Sequence, residues 1–186
     1  MARIHVPNDQ QHDPLGYTLG HYAPEIGAAG GGYAKAVYQS SRLPLRVMEA
    51  ARFRIAQING CMVCQGFRAA QHLDGYLDSV GGDSTQSVVA RGGTKPDEAF
   101  YGAIADWRSA DAFDARERIA IEFAERMSDD PRGFEEDEAF WTRLHAQFSD
   151  AEIVDLTLCC GAWIALGRVT HILQLDTVCM EDTLAA

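Results

Sequence analysis

The chain has 186 residues, of which 47% are hydrophobic and 23% charged, a composition typical of a globular protein that can bury a core. The formal net charge of −11 argues against nucleic acid or an anionic membrane as a partner, since both repel an acidic surface. The five cysteines are odd in number, so a secreted disulfide framework is not expected. Because the N-terminus lacks an apolar signal core, we expect a cytoplasmic protein.

The sequence predicts two parts, an N-terminal arm with a leading helix over residues 1–39 and a helical domain over residues 40–186. Residues 1–23 show little periodicity and are predicted to pack as an arm on the body of the protein or on a neighbour. Residues 24–39 can form a helix, although three consecutive glycines weaken its middle.

The domain is predicted to begin with a helix near Pro44, because proline is favoured at the first helical position. Apolar residues then recur at three- and four-residue spacing and form a core-facing stripe. The stripe consists of Met48, Ala51, Ile55 and Ile58. Asn59-Gly60 is predicted to end this helix.

A Cys-Met-Val-Cys motif, Cys61 to Cys64, follows directly and carries the strongest chemical signal. The residues after it favour a helix as far as Asp74-Gly75, so both cysteines are predicted in one first turn and on one face. Free backbone N–H groups and the helix dipole favour a thiolate there. Two sulfurs at this spacing can close a disulfide, so that one can attack and the other resolve.

The same motif is compatible with half of a zinc site or with inert packing. No second pair with the usual zinc spacing follows, and Cys159-Cys160 are adjacent in an apolar run, where both rarely bind one metal. His72 is too isolated to complete a zinc finger. The sequence therefore favours redox chemistry, with no metal and no other cofactor expected.

The remaining sequence predicts a loop over residues 79–95 and helices over residues 96–110 and 137–147. Two longer helices are predicted to begin with capping boxes, and Phe148 and Ile153 are placed to form a hydrophobic staple across the second box. The boxes are Asp114-Ala115-Arg116-Glu117 and Ser149-Asp150-Ala151-Glu152. Because no segment alternates with period two, the predicted fold is all-α.

The last helix is predicted to run to about Leu173. Its apolar run contains Asp155 and Arg168, and the uncharged part of twelve residues is too short to cross a membrane. We therefore predict a buried core helix and no membrane partner.

Other residues whose side chains could take part in chemistry are interpreted as structural. His171 is interpreted as a hydrogen-bonded core or interface residue, because a functional histidine needs a partner that can be named. Cys159, Cys160 and Cys179 are predicted to act as small hydrophobic residues. Trp163 is predicted to lie in the core.

Glu49, eleven residues and then Cys61-x-x-Cys64, on a helix–break–helix, resembles the AhpD-like branch of the carboxymuconolactone decarboxylase superfamily. Residues 113–118 and 148–157 are similar to the later helices of that family. The resemblance covers roughly residues 40–175. It implies an AhpD-like helical bundle with an N-terminal arm, assembled as a homo-trimer or a hexamer.

The resemblance also implies an oxidoreductase, a thiol-dependent peroxidase that acts on a small hydroperoxide. In that scheme Cys64 attacks the peroxide, Cys61 resolves, and Glu49 is the proton acceptor of a relay. The implied reductant is a dithiol, such as a lipoyl group on a partner protein. An exposed Cys61 sulfur at a helix start would suit that exchange.

The motif departs from the family where relatives carry a relay histidine, because that position is Arg68 here. Arginine stays charged and does not pass a proton near neutral pH. Arg68 is predicted one turn beyond Cys64, where its charge would stabilise a thiolate. Alternatively, it pairs with Glu49 and holds that carboxylate ionised.

Three functions stay open at this point. The leading one is peroxide reduction through a Cys61–Cys64 disulfide. A decarboxylase-type acid–base enzyme, as in the other branch of the superfamily, fits less well, since it relies on a histidine near the position of Arg68. The third is a non-catalytic or redox-sensing member. Glu49 also has a plain interpretation as a solvent-facing helix carboxylate, which its spacing to the cysteines outweighs.

Overall fold

The computed structural model describes residues 2–176, and every regular element in that range is helical. The all-α prediction is therefore confirmed. The α-helices are α1 (Pro14–Tyr22), α2 (Pro24–Ser40), α3 (Leu45–Asn59), α4 (Met62–Gly66), α5 (Ala69–Ser79), α6 (Glu98–Ala103), α7 (Ala115–Asp129), α8 (Glu138–His145) and α9 (Asp150–Ile172).

Helix α3 is the centre of the core. It packs against α7 and α9, and these are the most extensive contacts between helices. Residues on nearly every face of α3 are buried, including two charged ones, Glu49 and Arg52. Because a helix buried on all sides carries its polar residues inward as well, α3 places these two charges inside the protein.

The limits of α3 follow from its end residues. Pro44 precedes the helix as its N-cap, one position before the predicted first turn. Met48, Ala51 and Ile55 are fully buried, as the stripe predicted. Gly60 ends the helix with φ +68°, a left-handed conformation that glycine adopts at little cost.

Both capping boxes form as predicted. The side chain of Asp114 accepts from the N–H of Glu117, whose carboxylate accepts in return, and α7 begins there. Ser149 and Glu152 do the same at the start of α9. Each such cap satisfies backbone N–H groups that the first turn leaves free, and contributes about 1 kcal/mol.

The N-terminal arm is more regular than predicted. It contains helix α1, whose first turn is capped by the Asp13 side chain on the N–H of Gly16. Pro14 occupies the first helical position, a signal that the sequence carried and that the weak periodicity obscured. Helix α1 packs on α2, so the arm lies on the body of the protein.

The helix predicted from the cysteine motif to Asp74-Gly75 is interrupted. Helix α4 ends at Gly66, Phe67 and Arg68 are extended, and α5 then continues through Gly75 to Ser79. The prediction of one helix was therefore wrong at both points. As a result, Arg68 does not share a helix with Cys64.

The predicted loop at 79–95 lacks regular structure apart from a 3₁₀ turn at Ser84–Gln86, and its first residue belongs to α5. The helix predicted over 96–110 is shorter, since α6 gives way to a 3₁₀ turn at Ile104–Asp106. The helix predicted over 137–147 is present as α8.

Helix α9 has 23 residues, which is long and apolar enough to cross a membrane by length and composition. Its inner face, however, packs in the core, as predicted. After α9 the chain turns back, with Gln174 at φ +52° and the N–H of Leu175 on the carbonyl of Thr170. The N–H of Arg3 in the arm donates to the carbonyl of Leu173 in this turn (2.9 Å).

Candidate active site

The two motif cysteines lie at the start of α4, Cys61 just before the helix and Cys64 in its first turn, and are joined by a disulfide with 5.3 Å between their Cα atoms. Cys61 is the N-cap of α4, and its sulfur accepts a hydrogen bond from the N–H of Cys64 at 3.3 Å. The two cysteines are thus three residues apart at a helix start, as the sequence predicted. The pair can store two electrons, which is the chemistry that a reversible disulfide offers.

The two sulfur-bearing residues differ in exposure. Cys61 is 0% exposed, whereas Cys64 is partly exposed. The expectation of an exposed Cys61 sulfur is therefore wrong. Any thiol that attacks the disulfide from solvent meets Cys64 first.

Arg52 holds the break between α4 and α5. Its Nη1 donates to the carbonyl oxygen of Cys64 (2.6 Å) and its Nη2 to that of Phe67 (2.8 Å). The guanidinium carbon also lies 5.3 Å from the centroid of the Phe67 ring. A buried cation thus accounts for carbonyl groups that a continuous helix would have bonded to its own N–H groups.

Glu49 lies one turn before Arg52 on α3 and is 0% exposed, so its interpretation as a solvent-facing carboxylate is wrong. Its two oxygens accept from Nε (2.5 Å) and Nη2 (3.2 Å) of Arg52. They also accept from the N–H of Ala69 (3.2 Å) and from the hydroxyl of Tyr101. A buried carboxylate is stable only with partners of this kind.

Electrostatics keep Tyr101 and Arg52 protonated. Burial and the Glu49 carboxylate raise the pKa of Tyr101, so its hydroxyl stays protonated and donates. Burial opposes the charge of Arg52, but the Glu49 carboxylate raises its pKa and keeps it a cation. Burial also raises the pKa of Tyr38, which packs on Phe67 beside this pair.

Arg68 is the N-cap of α5 and turns away from Glu49. Its guanidinium binds the carboxylate of Glu98 at 2.8 and 3.0 Å and lies 4.0 Å above the Tyr101 ring. It also donates to the carbonyl of Gln65. The interpretation of Arg68 as the partner of Glu49 is therefore corrected, because Glu49 pairs with Arg52 and Arg68 with Glu98.

Helix α9 approaches the disulfide at Gly167. A Cβ added there would lie 3.7 Å from Cys64 Sγ and 2.5 Å from Nδ2 of Asn59. Asn59 fills this gap, donating to the carbonyl of Trp163 (3.0 Å) and accepting from Nε of Arg168 (3.1 Å). Asn59 and Gly167 were not predicted as site residues, because only the packing of α9 on α3 brings them to the cysteines.

His171 and Asp176 lie beside the first residues of the motif. Asp176 accepts from the N–H of Met62 (2.9 Å) and lies 3.1 Å from Nδ1 of His171. A Cβ added to Gly60 would be 3.2 Å from the His171 ring. Sequence reasoning missed Asp176, since it follows α9 in an irregular turn that no periodicity marks.

The late cysteines that the structure describes are inert, as predicted. Cys159 and Cys160 are buried, and burial raises the pKa of both thiols. Cys179 lies outside the described residues. A cavity of about 390 Å³, lined among others by Trp107, Arg118 and Arg143, lies away from the disulfide.

No family model matches this sequence, and no curated protein sequence matches it. Solved structures do share its architecture. One is a protein of unknown function from Agrobacterium tumefaciens, considered a candidate AhpD antioxidant defence protein. It has 22% sequence identity and a TM-score of 0.61, over 83% of this chain and 92% of that one.

The debrominase Bmp8 has a similar structure in two forms. Its apo form has 15% identity and a TM-score of 0.59, over 97% of this chain and 94% of that one. A cysteine-to-alanine variant bound to 2,3,4-tribromopyrrole has 14% identity and a TM-score of 0.62, over 100% and 98%. The chain thus shares the all-α fold of these solved structures, one of them a candidate AhpD protein, as the sequence resemblance to AhpD-like proteins implied.

Proposed function

We propose that this protein is a thiol-dependent peroxidase that cycles through the Cys61–Cys64 disulfide. The observation that carries the proposal is the disulfide itself, placed at a helix start with one partly exposed and one buried cysteine. A reactive thiol needs access to its substrate, and a resolving thiol needs only access to its partner. The arrangement therefore suits Cys64 as the attacking residue and Cys61 as the resolving one.

The oxidative half of the cycle consumes one hydroperoxide. The Cys64 thiolate attacks the terminal peroxide oxygen, the O–O bond breaks, and the alkoxide takes a proton to leave as an alcohol. Cys64 is now a sulfenic acid. The Cys61 thiol attacks that sulfur, the S–O bond breaks, and water leaves as the disulfide forms.

The reductive half needs a dithiol, such as a lipoyl group on a partner protein. One thiolate of the reductant attacks Cys64, since its sulfur is the accessible one, and Cys61 is released. The second thiol of the reductant then attacks the mixed disulfide, which frees Cys64 and leaves the reductant oxidised. The sum is one hydroperoxide and one dithiol converted to alcohol, water and a disulfide.

Glu49 remains the proposed proton acceptor, and its pairing with Arg52 links it to the cysteines. Arg52 donates to the carbonyl of Cys64, so the Glu49–Arg52 pair holds the backbone that carries the reacting sulfur. Arg68 contacts Tyr101, which in turn donates to Glu49. Arg68 is thus proposed to hold Tyr101 in place for its hydrogen bond to Glu49. It is not proposed to carry a proton.

The test measures turnover with a hydroperoxide and dihydrolipoamide. Turnover is monitored as the consumption of the reductant. Wild type should turn over, and both Cys64→Ser and Cys61→Ser should lose the activity. Cys159→Ser is the matched control, because that thiol is buried and outside the site. A disulfide that forms and reopens without turnover would support the redox-sensing alternative instead.

Reductive debromination is a second candidate, favoured by the match to Bmp8 along the whole chain. The reaction would exchange an aromatic C–Br bond for C–H, with two thiols oxidised to the disulfide and bromide released. Incubation of the reduced protein with 2,3,4-tribromopyrrole, with bromide release as the readout, separates the two candidates. Bromide release without hydroperoxide turnover would overturn the peroxidase proposal.

A further inference from the structure

Asp176 is a buried carboxylate that the proposed cycle does not use. Its side chain is 6% exposed, although it lies in a turn. Oδ2 accepts from the N–H of Met62 at 2.9 Å, and the same oxygen lies 3.1 Å from His171 Nδ1. Water screens a buried charge only weakly, so a charge held at this position affects the groups around it.

The carboxylate is near the sulfur of Cys61 through covalent geometry. The Met62 nitrogen is bonded to the carbonyl carbon of Cys61, so only the backbone and Cβ of Cys61 separate that nitrogen from the sulfur. Cys61 is fully buried, so water screens this interaction weakly. A negative charge at short range disfavours a second negative charge and raises the pKa of a thiol.

His171 connects Asp176 with solvent. Its side chain is 48% exposed, and its ring lies beside Gly60, the residue before Cys61, where an added Cβ would be 3.2 Å from the ring. Both chain neighbours of Cys61 therefore lie next to the His171–Asp176 pair, Met62 through a hydrogen bond. With Asp176 ionised, Nδ1 of His171 carries a proton and donates it to the carboxylate, which fixes the carboxylate in place.

We propose that Asp176, held by His171, is a positioning residue that keeps Cys61 a protonated thiol and so makes Cys64 the reacting thiolate. The inference rests on the proposed function of the cysteine pair. In the reduced protein Cys61 retains its proton, which leaves with the hydroxyl of the Cys64 sulfenic acid as water. When a dithiol reopens the disulfide, Cys61 leaves as a thiolate and takes up one proton from solvent.

Other charged groups face the motif from the elements packed against it. They are Glu49 and Arg52 of α3, Arg68 at the start of α5 and Arg168 of α9. The first two form an ion pair, the third pairs with a carboxylate, and the fourth binds Asn59 and the carbonyl of Ser128. None of them is altered in the variants used to test Asp176.

The test follows the titration of Cys61 in reduced Cys64→Ser protein by the pH dependence of its ¹³Cβ chemical shift, which needs no reagent to reach this buried thiol. We expect a Cys61 pKa above the ordinary value of about 8.5, the Asp176 charge outweighing the hydrogen bond from the N–H of Cys64 to the Cys61 sulfur. Asp176→Asn keeps an oxygen for the Met62 N–H and removes the charge. It should increase the thiolate fraction of Cys61 at pH 8 by about tenfold. Asp176→Glu should restore the original profile.

Asp150→Asn is the control, because it makes the same exchange at the 93% exposed start of α9. A Cys61 titration curve unchanged by Asp176→Asn would overturn the proposal. So would a Cys61 pKa below the ordinary value in the Cys64→Ser protein, a result that needs no folded Asp176 variant. Neither measurement uses a peroxide, so each outcome is independent of whether the protein is a peroxidase.

A second readout is the equilibrium of the Cys61–Cys64 disulfide with glutathione in otherwise unchanged protein. Because the Asp176 charge acts on the Cys61 thiolate and not on the neutral thiol, the equilibrium is compared at a pH above the Cys61 pKa of both proteins, where Asp176→Asn should make the disulfide about tenfold easier to reduce, or about 30 mV. A variant effect limited to folding stability would leave this equilibrium unchanged and would overturn the assigned role.

Discussion

Glu49 and Arg52 show how much one buried ion pair can organise. They lie one turn apart on α3, and their side chains reach Tyr101, the start of α5 and the carbonyls on both sides of the helix break. The spacing of Glu49 to the cysteines was visible in the sequence. The partnership with Arg52 was not, because burial of α3 on all sides depends on helices that come later in the chain.

Glu49→Gln should destabilise the protein strongly. The substitution leaves the buried guanidinium of Arg52 without a counter-charge, which typically costs about 3–5 kcal/mol. Urea unfolding would measure the loss. Glu98→Gln is the matched control, since it removes an exposed partner from Arg68 and should cost less than about 1 kcal/mol. Similar losses in both variants would show that the Glu49–Arg52 pair is not a buried pair in solution.

Arg68→Ala should leave the alkylation profile of Cys64 unchanged. The expected thiolate stabilisation assumed that both residues share a helix, and α4 ends before Arg68. Iodoacetamide rates of the reduced protein between pH 5 and 9 would measure it. A raised Cys64 pKa in the variant would show instead that the guanidinium faces the thiol.

The same variant should alter the titration of Glu98. The hydrogen bond from Arg68 lowers the pKa of the Glu98 carboxyl, so the pair adds stability above the unfolded-state pKa of about 4.3. That contribution is lost as the pH falls through the folded-state pKa. In Arg68→Ala the Glu98 pKa should rise toward the ordinary value, which NMR titration would detect; an unchanged pKa would contradict the pairing.

At the scale of helices, the sequence predicted what local chemistry decides. The capping boxes at Asp114 and Ser149 and the stop at Gly60 involve residues within one turn, and all three formed as predicted. The interruption after Gly66 was missed, because it depends on hydrogen bonds from Arg52, which is distant in sequence. Asp176 was missed because its hydrogen bond is to Met62, which is also distant in sequence.

The absence of a side chain at Gly167 leaves room for the Asn59 amide between α3 and α9. In Gly167→Ala the new Cβ would lie 2.5 Å from Asn59 Nδ2, so the Asn59 amide must move and lose its hydrogen bonds to Trp163 and Arg168, at a cost of about 1–3 kcal/mol. Thermal unfolding would measure it. Gly31→Ala in α2 is the contrast, since its Cβ meets nothing within 4 Å, and it should stabilise by about 0.5–1 kcal/mol. Equal changes in the two variants would contradict the close approach at Gly167.

The described residues leave an apolar strip on the outer face of α9. Its members repeat at helical spacing and are exposed. They are Val154, Leu158, Val169 and Ile172. This strip is consistent with the proposed homo-oligomer, a trimer or a hexamer, in which a neighbouring copy would cover it.

Light scattering should therefore give a mass several times that of one chain at micromolar concentration. Leu158→Glu, which places a charge in the middle of the strip, should shift the mass toward a single chain. Val80→Glu is the control, because Val80 is exposed but lies at the end of α5, away from the strip. A single-chain mass in wild type would refute the oligomer.

The hydrogen bond from Arg3 to Leu173 connects the arm with the turn that carries Asp176. Asp176 in turn holds the backbone beside Cys61. If docking of the arm favours one redox form of the cysteines by some free energy, then that redox form favours docking of the arm by the same free energy. Oxidation of the cysteines and attachment of the arm are thermodynamically linked to the extent that the two redox forms hold Asp176 differently.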